Sequence, residues 1–286
     1  MSAIYHYCSQ ETFINIIKYK KLWLGDIEHM NDFMEKKWFI DVFREIIIEN
    51  KNEQIYKGIY DNIIENHKFT KVFMCCLSKS GDSLSQWRAY AQDGSGVAIG
   101  LNQENLGINN RPLANNVLVE NSFFLNEVKY KDKDKIKEII SELLEKNKDY
   151  LDFFSQKNRC FDDLTNEQKS KLANFSRAII HMNIHTKNPA FHEENEIRLI
   201  YNSFPENITY KSKENKKHRS FINSKNFRIS NGHLTSYYEF PIPDGCISKI
   251  ILGPKNKFDI DDVKGFLIKN KINENVEIKR STASYR

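Results

Sequence analysis

Two short, almost continuously apolar runs constrain the fold of this chain most strongly. They are KVFMCCLS, residues 71–78, and GVAIGLN, residues 96–102. Runs of this length and composition are typical of strands that are covered on both faces of a sheet. We therefore predict a sheet whose centre is formed by these two segments.

Weaker patterns add strands and helices to this sheet. The segment AIYHYCS alternates like a strand, and Ser9 at its end would cap the helix that follows. KLWLGD and SFFLNEVKY have extended patterns, and the pair Asn231-Gly232 predicts a hairpin turn. Apolar residues recur at helical spacing near residues 36–68 and 134–186.

These elements predict the fold class. Strands outnumber simple β-α-β alternations, so we expect an α+β protein with a mixed, largely antiparallel sheet. No repeat or linker divides the chain, which predicts a single domain over residues 1–286 with helical insertions near 36–68 and 134–186.

Composition narrows the setting of the protein. With 286 residues and 40% hydrophobic content, the chain can bury a core without disulfides or a structural metal. The five cysteines lack any CxxC pairing, which predicts free thiols in a reducing compartment. The sequence has no apolar run long enough for a membrane span and no signal-peptide pattern, so we expect a cytoplasmic protein without a membrane partner.

One segment is densely basic. KSKENKKHRSFINSKNFR, Lys211–Arg228, carries its Lys and Arg residues against a single glutamate, although the net charge of the whole chain is only +5. Such a segment is either a solvated loop or a surface that binds the phosphates of a nucleic acid. The sequence leaves both interpretations open.

A stripe of charge marks the stretch NPAFHEENEIRLIYN, residues 188–202. If this stretch is a strand, Glu194, Glu196 and Arg198 share one face, opposite an apolar face. Two carboxylates at this spacing can both reach one sugar or cation, and Arg198 would relieve their repulsion. The alternatives are a ligand site and a solvent-facing ladder of ion pairs.

Two further places carry candidate ligand-binding groups. His6 lies between Ile4 and Cys8 on the core-facing side of its strand, where it is either a core histidine or a site residue. The polar, glycine-punctuated segment 79–96 carries Trp87, Arg88 and Tyr90, which predicts a functional loop that lines the main pocket and binds a nucleotide-like small molecule.

Metal chemistry is a competing hypothesis. His181 and His185 have the spacing of a helical metal site, but the apolar stripe of their helix leaves His181 on the solvated side, so we predict no metal there. Asp32 and Glu35, together with Glu194 and Glu196, would instead suit a metal-dependent nuclease or phosphodiesterase. The chain has neither a P-loop nor a Rossmann fingerprint.

The motifs YHYCS, LWLGDIEHMND, SQWRAYAQDGSGVAIG, FHEENEIRL and IILGP follow one another in the order found in a bacterial and phage family. Over residues 4–254 the chain resembles domain of unknown function 2971. This resemblance implies no activity.

A more distant similarity implies one. A first strand with YHY, then a helix and KLWL, and a late glutamate on a strand is similar to the plan of ADP-ribosyltransferases and their toxin and antiphage relatives. Those enzymes bind NAD in the cleft of a split, mixed sheet, so the similarity implies that NAD is a substrate and that the protein is an effector of defence or a toxin-like system. The serine-rich middle motif of many such transferases is not clearly met.

The similarity also implies roles for individual residues. His6 would hold a ribose hydroxyl, Glu196 would stabilise the oxocarbenium-like ribose, and Glu194 would orient or deprotonate the acceptor. The residues expected to bind substrate are Tyr5, Ser9, Asn31, Trp87, Arg88, Tyr90 and Arg198. The alternatives to an ADP-ribosyltransferase or NAD glycohydrolase are the metal-dependent nuclease and a non-catalytic nucleotide-sensing domain.

Overall fold

The computed structural model describes residues 3–29, 38–49, 71–108, 123–148, 165–203, 225–230 and 232–285. The strands of this part of the chain are β1 (Ala3–Cys8), β2 (Lys21–Asp26), β3 (Lys71–Ser78), β4 (Val97–Asn102), β5 (Phe123–Glu127), β6 (Lys129–Tyr130), β7 (Thr186–Lys187), β8 (Glu196–Ser203), β9 (Asn226–Ser230), β10 (His233–Pro241), β11 (Ile247–Leu252) and β12 (Glu277–Arg280). The α-helices are α1 (Gln10–Tyr19), α2 (Trp38–Glu49), α3 (Leu84–Tyr90), α4 (Lys133–Lys146), α5 (Asn166–His185) and α6 (Ile260–Lys269).

The predicted fold class is confirmed. Ten of the described strands form one sheet, in which the order β12-β11-β4-β1-β3-β2-β10-β9 is extended by β8 and β5. Its pairs are antiparallel except for the parallel pair β11–β12, and β6 and β7 form a separate parallel pair. The two apolar runs became β3 and β4, which lie inside the sheet as expected.

The sheet divides at β3. Strand β8 pairs with β3 along its whole length, from Lys71 to Ser78. Because a strand has only two edges, β1 and β2 must share the other one: β1 pairs at Ser78, and β2 pairs at Phe73 and Met74. The two strands therefore leave the same edge of β3 at different points, and we name this division the fork.

Helices cover both faces of the sheet. On one face, α1 and α6 contribute Phe13, Ile17 and Leu267 to the largest core. On the other face, Ile184 of α5 packs against residues of β3 and β8, and α2 and α4 pack onto α5 through a second apolar cluster. Helices thus lie in both segments where the sequence predicts insertions.

Local sequence signals set the helix boundaries. Ser9 caps α1, since its side chain accepts a hydrogen bond from the Thr12 amide. Thr165 and Gln168 form a capping box at the start of α5. Cys8, Cys75, Cys76 and Cys246 are free thiols, whereas Cys160 lies outside the described residues. Within the described ranges, no helix combines the length and apolarity needed to cross a bilayer.

Candidate functional site

A pocket of about 690 Å³ lies at the fork. Its lining comes from β1, β2 and β3, from one side of α1, from the end of α3, from the start of β8 and from the β9–β10 hairpin. This volume is within the usual range for a small-molecule site.

The pocket is lined from both faces of the sheet at this point. Consecutive residues line it on two strands, Tyr5 to Tyr7 on β1 and Met74 to Leu77 on β3. Successive side chains of a strand point to opposite faces, so this lining reaches both faces of the sheet. At the fork, β1 and β2 each pair with β3 and not with each other, so side chains of both faces can reach the same pocket.

The fork brings several predicted site residues together. Tyr5 and His6 from β1, Tyr90 from α3, and both Glu194 and Glu196 line the same pocket. These residues are up to 191 positions apart in the chain. The structure thus gathers one histidine, two tyrosines and two carboxylates of the predicted site around one pocket.

Glu196 is the most strongly held of these groups. Its Oε1 accepts from Nε of Arg198 at 2.7 Å, and its Oε2 accepts from Nη2 of Arg198 at 3.1 Å. Nζ of Lys187 lies 3.4 Å from the same Oε2. The residue is only 6% exposed, so its charge is stabilised inside the protein by two cations.

Lys187 joins the two glutamates. It is 1% exposed, and its ammonium donates to Oε2 of Glu194 as well as to Glu196. We name Lys187, Glu194, Glu196 and Arg198 the charge cluster. Its two positive and two negative groups balance, as buried charges require.

The electrostatics of the cluster keep Glu196 ionised. Burial alone would raise the pKa of its carboxyl, but the charge and hydrogen bonds of Arg198, with a further contribution from Lys187, outweigh burial and hold this pKa below its usual value. Glu196 therefore carries a negative charge at neutral pH.

Two expectations about the charged stripe are wrong. Glu194 does not share a strand face with Glu196, because it ends a 3-10 helix, Pro189–Glu194, and Asn195 turns the chain with a φ of 44° before β8 begins. The stripe is also not a solvent-facing ladder, since Glu196 and Arg198 are buried. Arg198 donates in addition to the Ile184 carbonyl at the end of α5.

His6 lines the pocket and lies beside β3. Its Nδ1 lies 3.4 Å from the Cys76 carbonyl oxygen and 3.5 Å from Sγ of Cys75. Burial lowers the pKa of His6, and the contact with the Cys76 carbonyl only partly opposes this. Its imidazole is therefore neutral at pH 7 and suited to hydrogen bonding.

The neighbouring Cys75 is not a nucleophile. Burial raises the pKa of its thiol to about 12, although the charge of Arg228 works in the opposite direction. Since the thiolate is the reactive form of cysteine, this thiol is unreactive at neutral pH.

Tyr90 reaches the cluster from the solvent side. It is 37% exposed, and its hydroxyl donates to Oε1 of Glu194 at 3.3 Å. Tyr90 thereby places an aromatic ring beside the carboxylate at the pocket mouth.

The segment predicted to be a functional loop contains a helix, and this helix turns only some of the predicted ligand-binding side chains toward the pocket. Leu84–Tyr90 forms α3, and Gln86 and Tyr90 are the pocket-lining members of the segment 79–96. The prediction for Trp87 is wrong: it is fully buried, packs edge-on against Tyr7, and donates from Nε1 to Asp82 at 2.7 Å.

Three other predicted substrate-binding residues do not line the pocket. Arg88 is exposed and lies over the ring of Tyr285, 5.7 Å from its centroid. Ser9 serves α1 as its cap. Arg198 lies behind Glu196 and donates to its carboxylate.

Some predictions fall outside the described residues. These are Asn31, Asp32 and Glu35, and the basic segment up to residue 224. Of the basic segment, Lys225–Arg228 are described, and Arg228 lines the pocket.

Sequence reasoning missed the wall formed by β2, β9 and β10. Trp23, Gly25 and Arg228 line it, and their registers place them on one sheet face, since Arg228 pairs with Thr235 and Gly25 pairs with Tyr237. In the strand sequence NFRIS, Arg228 alternates with the apolar residues Phe227 and Ile229. This alternation is the sequence signal from which the position of Arg228 on the wall could have been predicted.

The described residues contain no cluster of three or more His, Cys, Asp or Glu side chains that could hold a metal ion. His181 and His185 stack with ring centroids 4.0 Å apart. Both nitrogens of His185 are engaged, Nδ1 at 2.7 Å from the His181 carbonyl and Nε2 at 2.7 Å from the Asn126 amide nitrogen.

Together these features define an α+β protein with a ligand-sized pocket at a fork in its sheet. Residues 86–199 match the family model described as Protein of unknown function (DUF2971), which confirms the family resemblance over that segment. No curated protein and no solved structure matches the chain.

Proposed function

We propose that the protein acts on NAD in the fork pocket, as an ADP-ribosyltransferase or NAD glycohydrolase. The observation that supports this is the presence of His6, Tyr90, Glu194 and Glu196 around one pocket. These residues come from three separate segments of the chain, and nothing in the local sequence requires the segments to meet.

The proposed chemistry uses these groups in distinct roles. Cleavage of the bond between nicotinamide nitrogen and ribose C1′ leaves the electron pair on nicotinamide and builds positive charge on the ribose ring. The ionised Glu196, in a partly dehydrated site, stabilises that charge as it develops. Water or an acceptor hydroxyl then bonds to C1′ and gives its proton to Glu194, while His6 and Tyr90 orient the ribose and the nicotinamide ring.

One observation favours a second candidate, nucleotide sensing without turnover. Glu196 accepts from Nε and Nη2 of Arg198 and lies beside Nζ of Lys187. These cations offset much of its charge, and a carboxylate held in this way stabilises a neighbouring cation less than a free one does.

The test compares nicotinamide release from NAD for the wild type, Glu196→Gln and Glu194→Gln, in the presence of a chelator. We expect each variant to lose about 100-fold or more in rate, the scale of a lost preorganised electrostatic contact. A folded Glu196→Gln variant with wild-type turnover would contradict the transferase proposal. NAD binding by the wild type without any turnover would favour sensing.

The control must separate chemistry from loss of stability. Asp82→Asn is suitable, because Asp82 accepts from Trp87 and from Thr282 and does not line the pocket. This variant is expected to unfold more easily yet to keep its activity per folded molecule.

A further inference from the structure

Arg228 differs from the other charged residues of the fork pocket. Four carboxylates of the described residues line the pocket, and each has a cationic partner. Asp26 pairs with Lys71 at 3.6 Å and Glu239 pairs with Lys21 at 2.6 Å, while Glu194 and Glu196 belong to the charge cluster. Among the described residues, no carboxylate forms a salt bridge with Arg228.

The guanidinium of Arg228 is held in place by aromatic rings. Its central carbon lies 5.4 Å from the ring centroid of Trp23 and 5.8 Å from that of Tyr237. Such stacking orients the planar group but leaves its N–H donors in need of acceptors. Nε of Arg228 is the buried side-chain polar atom of the described residues that lacks a hydrogen-bond partner.

A comparison with Arg198, which lies behind the pocket lining, shows what this means. The guanidinium of Arg198 donates from Nε and Nη2 to Glu196 and from Nη1 to the Ile184 carbonyl, so it is a closed structural pair. The guanidinium of Arg228 has stacking partners but no described acceptor. A buried donor without an acceptor costs free energy, and a bound ligand can supply the missing acceptor.

The backbone beneath Arg228 makes room for it. A side chain at Gly25 would place its Cβ 3.2 Å from Nη2 of Arg228, closer than ordinary contact. Glycine at this position therefore leaves room for the guanidinium beside β2 inside the pocket.

We infer that Arg228 is an anion-binding residue of the fork pocket and that the ligand of this pocket carries a phosphate group, as a nucleoside diphosphate does. The inference names the ligand chemistry of the same pocket and so rests on the proposed function. The guanidinium fork matches phosphate oxygens in bidentate geometry. Among the described residues the other charges of the pocket are paired, so Arg228 supplies the positive charge that an anion needs. It lies on the wall formed by β2, β9 and β10, whereas His6 is on β1.

The test is equilibrium binding of ADP and of adenosine, measured by calorimetry. The two probes share the nucleoside and differ in the diphosphate. We expect ADP to bind the wild type at least about tenfold more tightly than adenosine, and this advantage to shrink as salt is raised. Equal affinities, or no binding of ADP, would overturn the inference.

Substitutions of Arg228 test whether the tighter binding of ADP depends on this side chain. Arg228→Gln should weaken ADP binding by about 10- to 100-fold, the loss of one or two charge-assisted hydrogen bonds, and leave adenosine binding unchanged. Arg177→Gln is the matched control, because it removes the same charge from an exposed position of α5 and should leave both affinities unchanged. An unaltered ADP affinity in folded Arg228→Gln contradicts the inference.

A further substitution covers the case in which Arg228→Gln does not fold. Arg228→Lys keeps the stem and the charge but lacks the planar fork, so ADP affinity should fall by several-fold. If Arg228→Lys binds ADP as tightly as the wild type does, the inferred bidentate contact between Arg228 and the phosphate is contradicted.

The outcomes also separate this inference from the proposed function. Binding of ADP that depends on Arg228, without any consumption of NAD, supports the anion site and removes the enzymatic proposal. If the protein consumes NAD but its ADP affinity does not depend on Arg228, the enzymatic proposal is supported and the anion site is contradicted.

Discussion

Arg198 holds Glu196 through two hydrogen bonds, from Nε to Oε1 at 2.7 Å and from Nη2 to Oε2 at 3.1 Å, and both side chains are buried. The pair therefore supports the fold at the same place where it presents a carboxylate to the pocket. Any substitution of Glu196 must be judged by stability as well as by activity.

Glu196→Gln is expected to destabilise the protein by about 3 kcal/mol, because it leaves the buried guanidinium of Arg198 without its counter-charge. Glu127→Gln on the adjacent strand β5 makes the same chemical change in a half-exposed pair with Lys79 and should cost at most about 1 kcal/mol. Urea unfolding of both variants measures the difference. Equal losses would show that burial of the charge cluster contributes nothing.

Trp87→Ala should cost about 3 to 5 kcal/mol, because it removes a fully buried indole and leaves the Asp82 carboxylate short of a donor. Tyr90→Ala, at the exposed end of the same helix, should change stability far less and ligand binding far more. Thermal melting and ADP titration of the two variants form the test. The opposite pattern would place Trp87, not Tyr90, at the pocket.

Acid should destabilise the fold through His185. Burial, together with the charge of His181, lowers the pKa of His185 from 6.5 to about 4. The unfolded chain then binds a proton more readily than the folded one between these values, so stability is intact above pH 6.5 and is lost as pH falls. At pH 5 the loss is about 2 kcal/mol.

The variant His185→Gln should reduce the slope of stability against pH between pH 7 and pH 5. It should not abolish that slope, since burial also lowers the pKa values of His6 and His181. His192→Gln is the control for the loss of one exposed imidazole. A His185→Gln variant with the full wild-type slope would exclude His185 as a source of acid sensitivity.

Gly25→Ala should displace the guanidinium of Arg228, because the new Cβ would lie 3.2 Å from Nη2. ADP affinity should fall by about tenfold, equivalent to one charge-assisted hydrogen bond, while adenosine affinity stays unchanged. Gly265→Ala is the matched control: it lies in α6 with no atom near its added Cβ and should stabilise the protein by about 0.5 to 1 kcal/mol. Equal losses of both probes in Gly25→Ala would indicate a general distortion of β2.

Local patterns predicted many of the strands and helices, because periodicity and caps depend on neighbours in sequence. The runs that became β3 and β4 and the cap at Ser9 are examples. The same patterns did not predict the helix Leu84–Tyr90. The fork could not be predicted, since it depends on where β1 and β2 each pair with β3. Without that register, the residues of one wall, including Trp23 and Arg228, could not be connected to His6.

Trp87 and Lys187 show why the sequence did not predict which side chains are buried. Trp87 lies in a polar segment, but a short helix turns it inward with Ala91, four residues later. Lys187 is a residue type that is almost never fully buried unless it is paired. Its partners Glu194 and Glu196 reach it only because Asn195 turns the chain back.

The fork also determines which parts of the pocket can be altered by mutation. Along the shared edge of β3, the partner strands meet Phe73, Met74 and Ser78, so the main chain between Met74 and Ser78 faces the pocket. There the Cys76 carbonyl lies near the His6 imidazole in place of a strand amide. Main-chain groups are the same whatever residue is present, so side-chain substitutions at 75–77 reshape this floor without removing its peptide hydrogen-bonding groups. The two walls, by contrast, present side chains from β1 on one side and from β2, β9 and β10 on the other, so substitutions there change the polar groups of the pocket as well as its shape.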